Sequence, residues 1–504
     1  MKKAMKKLMA ALLAVAMVCA MAIPAFAEGA GTAGTGTAAA GTTTYTITID
    51  NPVGTYEAYQ IFSGDLHGSV LSNVAWGSGV TADAQSHFGD AKAKAADLSN
   101  ANVKTFAEEV SSYLSTTTSG TYDSGEITGL TAGYYLVKNK ADSVGPGETY
   151  TSFILEVVKN VTVFPKGDKP TLEKKVKDAH DTDGITTGWQ DSADHDIDDD
   201  VPFKLTAKIA SNFDDYKTYK FVFHDEQSTG LTFKPETVEV TVGGIKLTPT
   251  QYKVITTGLG DDCTFHVVIE DLKLISSAVA NGEVVVEYKS TLNKNAKIGS
   301  EGNPNVAHLE YSNNPHNSND TTNTPNDKVT VFTFKVVANK VDGVTGKALE
   351  GAAFALYKNY KDSGWKLVGL CNATEHEGNY TIDNPNKTDF AWDGLDDGDY
   401  MIKEIITPAG YNSIEPMKFT VTADHQIEAA DPKLNSLTGA LESGVVAFTP
   451  NNTEGSLTIN IRNNRGTVLP GTGGIGTTIF YVVGGGLMVA AAILLITKKR
   501  MENR

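Results

Sequence analysis

Apolar and polar residues alternate along most of this chain, between turns rich in glycine, asparagine and aspartate. The alternation is clearest in residues 45–49, 237–242 and 457–461. A period of two is typical of half-buried antiparallel strands. No long helical pattern dominates, but residues 103–114 carry apolar side chains at helical spacing, which predicts one amphipathic helix there. The pattern therefore predicts an all-β fold of tandem immunoglobulin-like β-sandwich domains.

The amino terminus has the pattern of a secretory signal peptide. Four lysines precede the apolar stretch 8–22, and Ala25-Phe26-Ala27 supplies small residues for cleavage. We therefore expect residues 1–27 to be removed on export. Residues 28–44 are almost entirely glycine, alanine and threonine, which predicts a flexible leader.

The carboxyl terminus carries a second processing pattern. Its residues are Leu469-Pro470-Gly471-Thr472-Gly473, an apolar run over 475–497, and Lys498-Lys499-Arg500. As a helix the run would be about 35 Å long, enough for a bilayer core of about 30 Å. Residues 469–504 resemble the LPXTG cell-wall sorting signal of Gram-positive surface proteins. The resemblance implies cleavage between Thr472 and Gly473 by a sortase, so that the chain is membrane-bound only before sorting. The alternative is a permanent membrane anchor.

The composition disfavours several kinds of partner, cross-link and ligand. The formal net charge is −17, and removing the basic ends would make the exported part more acidic still, which disfavours nucleic acid. Cys263 and Cys371 are far apart in the sequence, so we expect no disulfide framework. The acidic run 194–200 lacks the spacing of a calcium loop, and the histidines form no recognised metal motif. We therefore expect no metal site and no cofactor.

Two turn-rich or polar stretches divide the exported chain. One is the joint Phe164-Pro165-Lys166-Gly167-Asp168-Lys169-Pro170, and the other is the polar stretch 313–327. They predict domains at 45–166, 168–328 and 329–468.

The third predicted domain places three reactive side chains on inward faces. Strand parity puts Lys340, Glu404 and Asn463 on the same faces as their apolar neighbours. The segment from Tyr400 to Tyr411, with Glu404, Pro408 and Gly410 between them, resembles the E-box of the Cna-B-type domains of Gram-positive pilins and adhesins. The resemblance implies an isopeptide bond between Lys340 and Asn463, promoted by Glu404.

The chemistry of that bond follows from burial. A lysine in an apolar core loses its proton because the charged form is desolvated, and a neutral amine can attack an amide carbon. A protonated carboxylic acid can polarise the carbonyl and shuttle protons while ammonia leaves. Holding the groups together supplies the effective concentration. The alternative is a buried salt bridge beside a satisfied asparagine.

The second predicted domain contains a similar set of a lysine, a carboxylate and an asparagine. Parity favours Lys174 over Lys175, places Asp225 on an inward face, and favours Asn313 over Asn314. These segments resemble the middle, Cna-A-like domain of backbone pilins, which implies a bond between Lys174 and Asn313 promoted by Asp225. An ordinary buried polar network is the alternative.

A weak internal repeat suggests that the first and third domains are related. The segment 129–139 aligns with 394–404, and Asn139 stands where the later copy has Glu404. Because the carboxylate is missing, we predict no isopeptide bond in the first domain.

A third motif lies at the first joint. Val161, Val163, Pro165 and Lys166 match the pilin motif of backbone subunits, whereas Phe164 replaces its tyrosine and Val157 its tryptophan. The resemblance implies that a class C sortase joins Lys166 of one subunit to Thr472 of the next. The alternative is an ordinary linker lysine.

Together these features identify the chain as resembling a backbone (major) pilin, not an enzyme. The implied partners are a class C pilin sortase, a housekeeping sortase, identical subunits arranged head to tail, minor pilins and peptidoglycan. The implied location is the cell-wall-anchored surface. The alternative is a minor pilin or a single wall-anchored adhesin that binds host protein or glycan.

Overall fold

The computed structural model describes residues 43–99, 102–165, 167–315, 317–442 and 447–466, together with 484, 487–496 and 498–499. The predicted signal peptide, Lys166 and the motif 469–473 lie outside these described residues. Within them, no helix has both the length and the apolar character needed to cross a bilayer.

Strands account for most of the ordered elements, which confirms the all-β prediction. In residues 45–163 the strands are β1 (Tyr45–Ile49), β2 (Tyr56–His67), β3 (Val70–Trp76), β4 (Thr121–Asp123), β5 (Glu126–Leu130), β6 (Gly133–Asn139), β7 (Ser152–Val157) and β8 (Val161–Val163). In residues 171–332 they are β9 (Thr171–Val176), β10 (Ala179–His180), β11 (Ile185–Thr186), β12 (Ser192–Asp194), β13 (Asp200–Lys208), β14 (Phe221–Gln227), β15 (Leu231–Val242), β16 (Ile245–Lys246), β17 (Lys253–Ile255), β18 (Phe265–Ile269), β19 (Glu283–Leu292), β20 (Asn303–Ser312), β21 (Thr321–Asn323) and β22 (Asp327–Phe332). In residues 334–463 they are β23 (Phe334–Asp342), β24 (Ala353–Tyr360), β25 (Gly364–Cys371), β26 (Ala373–His376), β27 (Asn379–Ile382), β28 (Asp389–Leu395), β29 (Gly398–Ile406), β30 (Met417–His425), β31 (Leu434–Leu441), β32 (Thr449–Asn451) and β33 (Ser456–Asn463).

Three short helices lie between β3 and β4. They are α1 (Ala82–Phe88), α2 (Ala91–Asp97) and α3 (Val103–Val110). The predicted amphipathic helix corresponds to α3, which continues into a 3-10 turn over Ser111–Tyr113. The sequence pattern missed α1 and α2 because their buried residues are alanines, which give little apolar contrast.

The first compact unit contains the described residues that fall within 1–179, 186–333 and 425–435. Its first part has two four-stranded sheets, in the orders β4-β5-β1-β8 and β3-β2-β6-β7. Ile47, Tyr135 and Val157 pack in one apolar cluster, while Phe62 packs with Phe106 of α3 in another. The helices thus cover an apolar face that the strands leave open.

Residues 171–332 supply two larger sheets to the same unit. One has the order β12-β22-β20-β14-β18-β17, with β21 beside β20, and the other has the order β16-β15-β19-β13-β9. Fully buried aromatic residues, among them Phe203, Phe221 and Phe223, belong to one apolar cluster with residues of both sheets. This core surrounds the site of Lys174 that is described below.

The second compact unit contains the described residues that fall within 180–185, 334–424 and 436–504. Its sheets have the orders β28-β23-β33-β32 and β25-β24-β29-β30-β31, with a separate β26-β27 hairpin. The first strand, β23, is parallel to the last strand, β33, so that Lys340 lies opposite Ile461 and Asp342 opposite Asn463. This pairing positions the site of Lys340 that is described below.

The larger sheets occupy three successive stretches of chain, but the first two stretches form one compact unit. Within that unit Tyr311 donates to the Gly147 carbonyl at 3.1 Å, and Lys104 lies 2.7 Å from Asp215. The boundaries at 45–166, 168–328 and 329–468 therefore remain a prediction, which limited proteolysis tests.

A buried ion pair holds residue 425 within the first unit. His425 Nε2 lies 3.1 Å from Asp194 Oδ1 and 3.6 Å from Asp178 Oδ2, and its Nδ1 lies 2.7 Å from Ser192 Oγ. Burial alone would lower the pKa of His425, but the two carboxylates outweigh burial and raise it to about 9. At neutral pH the imidazole is therefore charged and paired.

The ion pair predicts a pH dependence of stability. Because the folded state holds the proton more tightly than the unfolded chain, the stabilisation is complete below about pH 6.5 and is lost as the pH rises through about 9. We expect a loss on the order of 3 kcal/mol in the free energy of unfolding across that window. His425→Gln should flatten the dependence measured by denaturant unfolding. The matched control is His67→Gln, at an exposed position, which should keep the wild-type slope.

Candidate functional site

The second unit buries a lysine, a carboxylate and an asparagine together. Lys340 lies on β23, Glu404 on β29 and Asn463 on β33, and each occupies an inward position of a strand whose residues alternate between core and surface. The side chains of Lys340 and Glu404 have no exposed area. The structure therefore brings together the three residues that strand parity selected.

The three side chains are in direct contact. Lys340 Nζ donates to Asn463 Oδ1, and it lies 3.6 Å from Glu404 Oε1. Asn463 Nδ2 donates to Glu404 Oε1 at 2.9 Å and to Oε2 at 3.0 Å. The amine thus lies against the amide that it would attack, and the carboxyl group lies against the amide nitrogen that would leave.

Burial changes the protonation of Lys340. Desolvation lowers the pKa of its amine, although the Glu404 carboxylate opposes the shift. A lowered pKa increases the population of the neutral amine, which is the nucleophilic form. The arrangement can therefore support amide exchange as well as an ordinary ion pair.

A second buried lysine lies between the two sheets of residues 171–332. Lys174 on β9 is 2.5 Å from Asp225 Oδ2 on β14, and all of Lys174 and Asp225 is shielded from solvent. Tyr288 on β19 completes the cluster, because its hydroxyl donates to Asp225 Oδ2 at 2.7 Å and lies 2.9 Å from Lys174 Nζ. The sequence did not predict Tyr288.

The protonation of this pair is shifted by burial. Desolvation lowers the pKa of Lys174 and raises the pKa of Asp225, with the attraction between the two opposing both shifts. Both shifts favour a neutral amine beside a protonated acid. This is the combination that attack on an amide requires.

The prediction that Asn313 is the amide partner of Lys174 is wrong. Asp225 pairs with Ala307 across β14 and β20, and Asn313 lies six residues further on, about 20 Å along an extended chain. Its Nδ2 instead donates to the Glu148 carbonyl at 3.1 Å. The asparagine at the site is Asn305, whose Nδ2 donates to Tyr288 Oη at 2.9 Å.

Asn305 has the features of a reactive amide. It is fully buried, and its Oδ1 has no hydrogen-bond partner among the described residues. Asp225 Oδ1 is likewise unpartnered among them. Buried polar atoms without partners are costly, so a cross-link that rearranges these groups would relieve the cost.

Two substitutions distinguish these asparagines. We expect Asn305→Ala to lose one ammonia deficit relative to its own calculated mass, because without the side-chain amide the bond to Lys174 cannot form and no ammonia is released. Asn313→Ala should leave the ammonia deficit unchanged, because its side chain does not reach Lys174. Intact-mass spectrometry of both purified variants makes the comparison. A deficit lost in Asn313→Ala and kept in Asn305→Ala would contradict the assignment.

Two other polar sites lack this arrangement. Asn139 donates to the Val53 carbonyl at 2.5 Å and accepts from Thr151 N at 2.7 Å, which makes it a structural link between loops. Lys358 is buried 2.9 Å from Asp181 and 3.2 Å from Asp396. Two carboxylates stabilise the charged ammonium, which is not a nucleophile, so we interpret Lys358 as an ion-paired lysine.

Lys166 and the motif 469–473 lie outside the described residues. The neighbouring Phe164 is 69% exposed, and β8 ends at Val163. The role of Lys166 therefore remains a prediction from its motif.

The fold and these buried sites define a class: a chain of tandem β-sandwiches with the fold of a Gram-positive backbone pilin. Residues 334–433 match the SpaA family, described as a prealbumin-like fold domain. The solved T6 backbone pilin of serotype M6 Streptococcus pyogenes, described as a modular three-domain structure, superposes with a TM-score of 0.54 and 20% identity, covering 84% of this chain and 98% of that one.

Sequence comparison gives a related result. The chain is 25% identical over 296 residues to the trypsin-resistant surface T6 protein of S. pyogenes serotype M6, covering 55% of this chain and 50% of the relative. The chain thus spans about half the length of that curated relative. The full-length major pilin SpaD of Corynebacterium diphtheriae is similar with a TM-score of 0.46 and 17% identity, covering 84% of this chain and 97% of that one.

Proposed function

We propose that this protein is the structural shaft subunit of a covalently polymerised pilus on a Gram-positive cell surface. The observation that carries the proposal is the contact of Lys340, Glu404 and Asn463 in the sandwich that precedes the sorting motif. The likeness to the T6 backbone pilin supports it. The protein acts as a building element and not as an enzyme on other molecules.

Each buried site would form one internal amide. The neutral Lys340 Nζ attacks Cγ of Asn463, the new Nζ–Cγ bond forms, and the Cγ–Nδ2 bond breaks. Glu404 carries the proton from Nζ to Nδ2, so that ammonia leaves. At the other site Lys174 attacks Asn305, and Asp225 moves the proton.

The position of these amides suits a fibre under tension. A link between Lys340 and Asn463 would join the first strand of the sandwich to the last strand, which are already neighbours. A pulling force would then pass through the amide and bypass residues 341–462. The link from Lys174 to Asn305 would likewise bypass residues 175–304.

The subunits would be joined by a separate reaction. A class C pilin sortase cleaves between Thr472 and Gly473 and transfers the Thr472 carbonyl to the Lys166 amine of the next subunit. Repetition gives a head-to-tail contact that does not close, which produces a filament. A housekeeping sortase would attach the finished fibre, with its minor pilins, to peptidoglycan.

Cell-wall extracts test this assembly. We expect antibodies against the protein to detect a ladder of high-mass species that survives boiling in SDS, and we expect the ladder to vanish when the class C sortase gene is deleted. A single band in the sortase-competent strain would instead indicate a single wall-anchored adhesin.

A further inference from the structure

Three histidines form a row across the outer face of one sheet in the first unit. His224 on β14 lies directly opposite His266 on β18 and His308 on β20. The ring centroids are 4.0 Å apart for His224 and His266, and 4.5 Å apart for His224 and His308. Since Phe223 and Asp225 on either side of His224 point into the core, the row lies on the opposite face.

The loop before β18 adds two further ligand types to this row. Asp261 Oδ2 lies 3.0 Å from His224 Nδ1 and 2.9 Å from His266 Nε2. Cys263 Sγ lies 3.9 Å from His224 Nδ1, and the thiol is free of any disulfide. One atom from each of His224, Asp261, Cys263 and His266 lies within 4.8 Å of the other three.

These distances between ligand atoms suit a metal ion with tetrahedral coordination. With metal–nitrogen and metal–oxygen bonds of about 2.0 Å and a metal–sulfur bond of about 2.3 Å, neighbouring ligand atoms lie about 3.3 to 3.6 Å apart. The observed 2.9, 3.0 and 3.9 Å bracket that range, so small side-chain rotations would admit an ion. A hydrogen-bonded Asp261 between two imidazoles is the competing explanation of the two short contacts.

The position of Glu310 beside His224 favours a metal site over the hydrogen-bond explanation. His224 Nε2, the nitrogen that points away from the cluster, lies 3.4 Å from Glu310 Oε2. Glu310 is itself fixed by Lys220 at 2.9 Å. Metal-binding histidines commonly donate their second nitrogen to a carboxylate in this way, because the contact fixes the tautomer and orients the ring.

We propose that His224, Asp261, Cys263 and His266 bind one divalent transition-metal ion, with zinc as the best fit. Two imidazoles, one thiolate and one carboxylate are borderline ligands that suit zinc and exclude calcium and magnesium. Four protein ligands make a closed, structural site. The ion would fasten the loop between β17 and β18 to β14.

Binding requires the thiol of Cys263 to release its proton. Burial and the nearby Asp261 carboxylate hold the pKa of that thiol at about 12, so the metal must displace the proton as it binds. The proposal is independent of fibre assembly, since all of its residues lie in one sandwich.

The test uses the purified protein, with its cysteines reduced and any bound metal removed by a chelator. We expect equilibrium dialysis against zinc chloride to load one ion per chain. Cobalt chloride should give the absorption of a tetrahedral site with a thiolate-to-cobalt band. Cys263→Ala should abolish that band and, like His266→Ala, weaken zinc binding at least tenfold, and the positioning residue Glu310→Gln should weaken it about tenfold.

Matched variants keep the test decisive. His67→Ala, at an exposed position, and Cys371→Ala, in the second unit, should bind zinc like the wild type. Circular dichroism with chelator present identifies any variant that fails to fold, and Cys263→Ser then replaces Cys263→Ala. Zinc binding that survives both Cys263→Ala and His266→Ala, cobalt spectra without a thiolate band, or no uptake at all would overturn the proposal.

Discussion

Glu404→Ala is expected to restore one ammonia to the intact mass and to lower the melting temperature of the second unit sharply. Lys340 and Asn463 are 123 positions apart, so their amide would close a long loop in the unfolded chain. By the loop-entropy relation for cross-links, losing it costs about 5 kcal/mol. For a unit of this size that corresponds to a fall on the order of 15 °C. Mass spectrometry and calorimetry measure the two effects together.

The control for Glu404→Ala is Glu415→Ala, an exposed carboxylate in the segment that follows β29. It should keep the ammonia deficit and the wild-type melting temperature. An unmodified wild-type mass would remove the internal amides from the account. Glu404→Ala could also lose the ammonia deficit and yet melt at the same temperature as the wild type. That result would show that the amide forms but does not stabilise the fold as expected.

Lys166→Ala is expected to abolish the high-mass ladder in cells while leaving monomer in the wall fraction. The reason is chemical: alanine offers no amine to accept the Thr472 carbonyl, whereas the sorting motif can still be cleaved and attached to peptidoglycan. Immunoblots of wall extracts measure the result. We expect the ladder to fall below detection rather than weaken in part.

Lys159→Ala is the matched control for this experiment. Lys159 is exposed and lies on the same approach to the joint, just before β8. Its loss should leave the ladder intact. A ladder that persists in Lys166→Ala would assign the linkage to another lysine or favour the minor-pilin interpretation.

Strand parity selected all three side chains that meet in the second unit, but only Lys174 and Asp225 of those that meet in the first unit. Alternation decides which face a side chain takes, and that was sufficient for Lys340, Glu404 and Asn463. It does not decide the position along a strand, because Asn303, Asn305 and Asn313 share one parity. The register of Asp225 against Ala307 selects Asn305, and register is a property of the folded sheet.

The same limitation explains two other residues that the sequence did not reveal. Tyr288 reaches Asp225 from a strand of the facing sheet, and no local pattern marks it. His224 and His266 are 42 positions apart in the sequence and become neighbours only through strand pairing. A site built from cross-strand neighbours can be recognised only when the strand pairing is known, whereas a site marked by a contiguous motif can be recognised from the sequence alone.

Tandem mass spectrometry of trypsin-digested native fibres tests the central claim most directly. We expect three branched peptides, in which Lys340 is joined to Asn463, Lys174 to Asn305, and Lys166 to Thr472. Fibres in which all three lysine amines are free, with unbranched peptides recovered in full yield, would contradict the account.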